Sequence, residues 1–128
     1  FGMKVHVRWT IIDRLSKKED VQILEAFGEK EADTLRYERY VVHFAPDQME
    51  LRMQGDFGSH IHLYRDRMGV AFIKSPYGKM VLKTVLQGWR QDKDEWMAAY
   101  RLLDEQGHIL SDRQLFWHMT PVKKTMSK

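Results

Sequence analysis

Alternation of apolar and polar residues, repeated over short segments, is the feature of this sequence that most constrains its fold. In KVHVRWTIID (residues 4–13), the apolar residues Val5, Val7, Trp9 and Ile11 occupy every second position. Successive side chains of a strand point to opposite sides, so these four share one face. One apolar and one polar face are typical of an antiparallel sheet that is buried on one side. The segment therefore predicts a half-buried strand.

The same pattern recurs about every ten residues between turn-forming segments. The turns are SKKED (16–20), Pro46-Asp47, GDFG (55–58), DRMG (66–69) and SPYG (75–78). Short strands that alternate with turns, without helical inserts, predict an all-β antiparallel meander of about eight to nine strands, arranged as a sandwich or as a small barrel. TLRYERYVVHF (34–44) is counted as one strand, bent near Arg39 and Tyr40.

One segment conflicts with this pattern. DKDEWMAAYRLLDEQG (92–107) has an Asp cap, alanines, apolar residues at helical spacing and a glycine placed to end a helix. Its propensity alone slightly favours a helix. As a strand, it would instead place Trp96, Ala98, Tyr100 and Leu102 on one face.

Length and charge limit the predicted number of domains and the predicted partners. The 128 residues fit one domain, which we place at 3–121. Residues 1–2 precede Met3 and are interpreted as a cloning remnant, and residues 122–128 as a basic tail. That tail holds Lys123, Lys124 and Lys128, and without them 18 Lys and Arg balance 18 Asp and Glu. A balanced surface does not predict nucleic-acid binding.

Compartment and membrane contact are inferred from what the sequence lacks. There is no cysteine and no run of about 18 apolar residues. The N-terminus does not have the organisation of a signal peptide. We therefore expect a cytoplasmic protein with no disulfide and no membrane partner.

Several segments resemble the YwiB-like family, a bacterial domain family of unknown function. They are LRYERY (35–40), RMQG (52–55), SPYGKMVLKT (75–84) and the closing hairpin that begins at Tyr100. In the family the arginine and glycine of the second segment stand one residue apart, whereas two residues separate Arg52 and Gly55 here. The resemblance implies a closed calycin, or lipocalin-like, barrel in which YRLLDE (100–105) is a strand. It implies no established activity and no catalytic residues.

Pro76-Tyr77-Gly78 has two interpretations. Proline sets φ for a turn and glycine admits the positive φ that closes it, so the favoured interpretation is a turn that directs the next strand. The alternative makes Tyr77 a gate or ligand contact at the barrel mouth, where barrels often bind ligands.

His60 and His62 are the only metal candidates that the spacing of the residues suggests. Two histidines separated by one residue lie on the same face of a strand, but a zinc site needs a third protein ligand. Because Ile61 and Leu63 take the core face, the histidines are expected to point to solvent. The sequence therefore predicts no metal and no cofactor.

The function predicted is binding, not catalysis. Cysteine is absent and neither a Gly-x-Ser-x-Gly elbow nor a phosphate-binding loop occurs, so we do not expect an enzyme. The candidate barrel-lining or mouth residues are Trp9, Met49, Met53, Tyr77, Met80, Trp96, Tyr100 and Trp117. They would hold a small apolar or amphipathic ligand. The alternative is a protein-interaction module or homodimer whose barrel these side chains fill completely.

Overall fold

The computed structural model describes residues 2–16 and 18–123. Its strands are β1 (Met3–Asp13), β2 (Asp20–Glu31), β3 (Thr34–Tyr37), β4 (Tyr40–Phe44), β5 (Gln48–Met53), β6 (Ser59–Tyr64), β7 (Gly69–Ser75), β8 (Gly78–Gln91), β9 (Glu95–Leu103) and β10 (Ile109–Pro121). The described part of the chain contains no helix that is long and apolar enough to cross a bilayer. Most of the predicted tail, 124–128, lies outside the described residues.

The strands form one closed antiparallel barrel. Each strand pairs with the next in the chain, and β1 pairs with both β2 and β10, which closes the ring. Closure gives every strand a neighbouring strand on both sides. The all-β closed barrel predicted from the sequence is confirmed.

The barrel has ten strands, not the eight to nine predicted. The segment 34–44 does not bend as one strand but reverses at Glu38 and Arg39, and Tyr37 pairs with Tyr40 across the turn. Glu38 takes a φ of 52°, which is uncommon for a residue other than glycine. The chain therefore forms two short strands where one was expected.

The segment of conflicting propensity is a strand. Glu95–Leu103 forms β9 and pairs with both β8 and β10. Trp96, Ala98, Tyr100 and Leu102 are all buried on its inner face. Burial of this face and hydrogen bonding to a strand on each side outweigh the weak helical propensity.

Alternation places the core inside the ring. Fully buried aromatic side chains of β3, β9 and β10 occupy its centre: Tyr37, Trp96, Tyr100 and Trp117. Burying a large apolar side chain stabilises the fold by about 1.5–3 kcal/mol. The charged residues of the same strands lie on their outer faces, except for Arg113 of β10.

Candidate functional site

A cavity of about 310 Å³ opens at one end of the barrel. This end holds the last residues of β1, β5, β7 and β9 and the first residues of β2, β4, β6 and β10. The apolar wall consists of Trp9, Ile11, Tyr40, Leu51, Met53, Ile61, Ile73, Tyr100 and Leu115. The volume is near the lower limit for small-molecule pockets, so only a small ligand would fit.

Charged side chains line the rim of this cavity. Asp13 ends β1, Asp20 begins β2 and Arg113 lies near the start of β10. Arg113 Nε lies 3.6 Å from Asp13 Oδ2, and Asp13 Oδ1 accepts a hydrogen bond from the Leu15 N–H at 3.0 Å. Asp13 is therefore held in place from two sides. Two carboxylates and one guanidinium give the rim a net charge of −1.

Two buried polar groups in the wall lack a hydrogen bond of good geometry within the described residues: the indole Nε1 of Trp9 and the hydroxyl of Tyr100. The Tyr100 hydroxyl does interact with the Arg113 guanidinium, which offsets only in part the rise in its pKa caused by burial, so the phenol stays neutral. Buried polar groups normally find partners. Trp9 Nε1 is therefore the unpaired donor that a polar group of a ligand would satisfy.

The opposite part of the interior is filled and its polar groups are paired. Trp117 Nε1 donates a hydrogen bond to the Tyr37 hydroxyl at 2.9 Å, and Phe44 meets Trp96 edge-on at a centroid distance of 5.0 Å. Met49 is fully buried beside them in the core. The sequence named Met49, Trp96 and Trp117 as candidate lining residues, but none of them lines the cavity. They pack in the core beyond it.

Three of the eight candidates meet in the cavity wall: Trp9, Met53 and Tyr100. They come from β1, β5 and β9, which are distant in sequence. The wall residues Ile11, Leu51 and Ile61 were not named as candidates, although the alternation of the sequence places each of them on the apolar face of its strand. The sequence does not indicate that Arg113 belongs to the cavity, because charged residues near the start of a strand usually lie on the protein surface.

Tyr77 and Met80 do not line the cavity, which corrects their sequence-based placement. Tyr77 is 98% exposed and occupies the tight turn between β7 and β8. Gly78 has a φ of +121° there, as expected for the turn. Met80 is 44% exposed, because β8 pairs with β9 only from Lys83 onward. The tip of the β7–β8 hairpin therefore extends past the barrel wall, and Met80 goes with it.

His60 and His62 lie on the outer face of β6, as the alternation predicts. Ile61 and Leu63 between and beside them are buried. A third group with metal-binding chemistry, the Glu50 carboxylate of β5, is adjacent to both. The sequence could not identify Glu50, since the β5–β6 register is a tertiary contact.

Comparison with known proteins shows a shared fold. The crystal structure of the ywiB protein from Bacillus subtilis superposes with a TM-score of 0.70, covering 95% of this chain and 94% of that chain. The two sequences are 11% identical, so the similarity shows the fold alone. No protein-family model matches the chain, and no curated protein matches it.

Proposed function

We propose, from the barrel that this chain shares with YwiB and from its end cavity, that the protein binds a small amphipathic molecule. The observation that carries the proposal is an apolar wall that also contains an unpaired buried donor, Trp9 Nε1. A purely apolar ligand would leave this donor without a partner, which costs free energy. The ligand therefore combines an apolar body with a hydrogen-bond acceptor.

The rim favours an uncharged ligand over an anionic one. Asp13 and Asp20 outnumber Arg113, whose guanidinium already lies beside Asp13. An incoming carboxylate would meet a net negative charge and would compete with Asp13 for its partner. A neutral alcohol or carbonyl meets neither obstacle.

Binding without catalysis is part of the same proposal. Asp13 and Arg113 neutralise each other, and Tyr100 is kept neutral by burial. This supports a role in holding a molecule over a role in transforming it. Membership of the YwiB-like family and a cytoplasmic location are also proposed, on the shared fold and on the sequence features given above.

The proposal is tested by calorimetric titration with n-decanol and with decanoate. We expect n-decanol to bind and decanoate to bind more weakly. Ile73→Trp, which puts an indole into the cavity wall, should abolish binding. Its matched control is Phe72→Trp, on the outer face of the same strand, which should bind as the parent does.

The proposal fails if neither compound binds or if Ile73→Trp binds as well as Phe72→Trp. Tighter binding of decanoate would contradict the inference drawn from the rim charge.

A homodimer is the second candidate, and the outer face of β2 supports it. Val21, Ile23 and Phe27 are each at least half exposed there. A second copy that packed on this face would remove these apolar side chains from water. A solution mass near twice 15.3 kDa that falls to the monomer mass in Ile23→Glu would support the dimer. A monomeric parent protein would exclude it.

A further inference from the structure

The side chains of Glu50, His60 and His62 lie together on the outside of the barrel. In the ladder between β5 and β6, Glu50 is directly opposite His62, and Arg52 is opposite His60. His60 Nε2 lies 2.5 Å from Glu50 Oε1, and His62 Nδ1 lies 3.6 Å from the same oxygen. The two imidazole rings are 4.0 Å apart at their centroids. One ligand atom from each residue lies within 4.8 Å of the other two.

We propose that these three residues bind a divalent transition-metal ion, with zinc as the ion that fits best. Two imidazoles and one glutamate are an established zinc ligand set, with a fourth position open to water. Ligand atoms about 2.1 Å from a tetrahedral zinc ion lie about 3.4 Å from one another. The contact from Glu50 to His62 already has this length. The contact from Glu50 to His60 must lengthen by about 1 Å as the ion replaces the hydrogen bond.

The backbone holds the three ligands in place before any ion arrives. His60 and His62 point outward because Ile61 and Leu63 are anchored in the core, and Glu50 points outward because Leu51 is anchored beside it. Ligands fixed on paired strands lose little freedom on binding. The site is also independent of the cavity, which lies on the other side of the same two strands.

Arg52 is the group that opposes a cation here. Its Nη2 lies 3.5 Å from His60 Nε2 and 3.8 Å from Glu50 Oε1, so without a metal it partly neutralises Glu50. The side chain is half exposed and can turn towards solvent when an ion binds. Removing its charge should therefore tighten metal binding.

The experiment is a calorimetric titration of chelator-treated protein with Zn²⁺ at neutral pH. We expect one zinc ion per chain, and loss of this binding in His60→Ala and in His62→Ala. The matched control is His43→Ala. His43 shares the outer face and pairs with Glu50 across the β4–β5 ladder, but its Nδ1 is hydrogen-bonded to Thr34 Oγ1 at 2.7 Å. This variant should bind as the parent does.

Two further variants test the charge argument. Glu50→Gln should weaken binding, and Arg52→Gln should tighten it. Circular dichroism of each variant verifies that the barrel is folded. The proposal is overturned if the parent protein binds no zinc, if both His60→Ala and His62→Ala bind as tightly as the parent, or if Arg52→Gln binds more weakly.

A readout on the parent protein avoids any effect of substitution on folding. Zinc should shift the NMR signals of His60 Nε2 and His62 Nδ1, the nitrogens that face Glu50. Shifts confined to other histidines would refute the assignment.

Discussion

The two fully buried tyrosines should respond differently to the same substitution. The Tyr37 hydroxyl accepts a hydrogen bond from Trp117 Nε1 at 2.9 Å in the core. Tyr37→Phe leaves that indole N–H without a partner where water cannot reach it, which costs about 1–3 kcal/mol. The Tyr100 hydroxyl interacts with the Arg113 guanidinium but makes no hydrogen bond of good geometry. Tyr100→Phe removes this weak contact together with a desolvated group, and because the two effects offset each other the free energy of unfolding should change by less than about 0.5 kcal/mol.

Urea unfolding followed by circular dichroism measures both effects. With an m-value of about 2 kcal/mol/M, a loss of about 2 kcal/mol lowers the midpoint by about 1 M urea. We expect such a shift for Tyr37→Phe, and almost none for Tyr100→Phe, with m-values unchanged. An equal loss at both positions would show that Arg113 forms a full hydrogen bond with the Tyr100 hydroxyl, and it would refute this prediction.

Two further predictions concern the core and a loop. Met49→Ala should cost about 2–5 kcal/mol of unfolding free energy because Met49 is fully buried. Met80→Ala, on the hairpin tip, should cost less than about 1 kcal/mol. Equal losses of the two variants in urea unfolding would contradict this placement. The backbone N–H of His108 is the main cause of the lowered pKa of Asp104, so this carboxylate stabilises the fold above about pH 4 and the contribution is lost as the pH falls further. Asp104→Asn should therefore be less stable than the parent at neutral pH, and the difference should shrink in acid; a difference that grows in acid would refute the assignment.

The alternation of the sequence was sufficient to predict an all-β meander and the direction of most side chains, whereas closure into a barrel was implied by the resemblance to the YwiB-like family. Val5, Val7 and Trp9 are buried as the pattern requires, because period two leaves only one face for the apolar residues. The pattern did not predict the number of strands. In a run of aromatic and β-branched residues, the sequence of a tight turn at Glu38 and Arg39 cannot be distinguished from that of a bulge. Only the pairing of Tyr37 with Tyr40 distinguishes the two.

The candidate sites depend on tertiary register, which periodicity does not encode. Met80 has the inward parity of Leu82, yet it is exposed because β9 does not extend far enough to cover it. Glu50 meets His60 and His62 only because β5 and β6 pair in one particular register. Whether the barrel is hollow depends on how completely the large side chains of all strands fill each end, which no single segment reveals.

The most direct test of the cavity proposal observes the indole N–H of Trp9 itself. Its NMR signal can be assigned among the four tryptophans with Trp9→Phe and followed while n-decanol is added. If the ligand enters the barrel end and accepts a hydrogen bond from Trp9 Nε1, this signal should move downfield. The signal of Trp117, already bonded to Tyr37, should move less. An unchanged Trp9 signal at saturating n-decanol would contradict the proposed binding site.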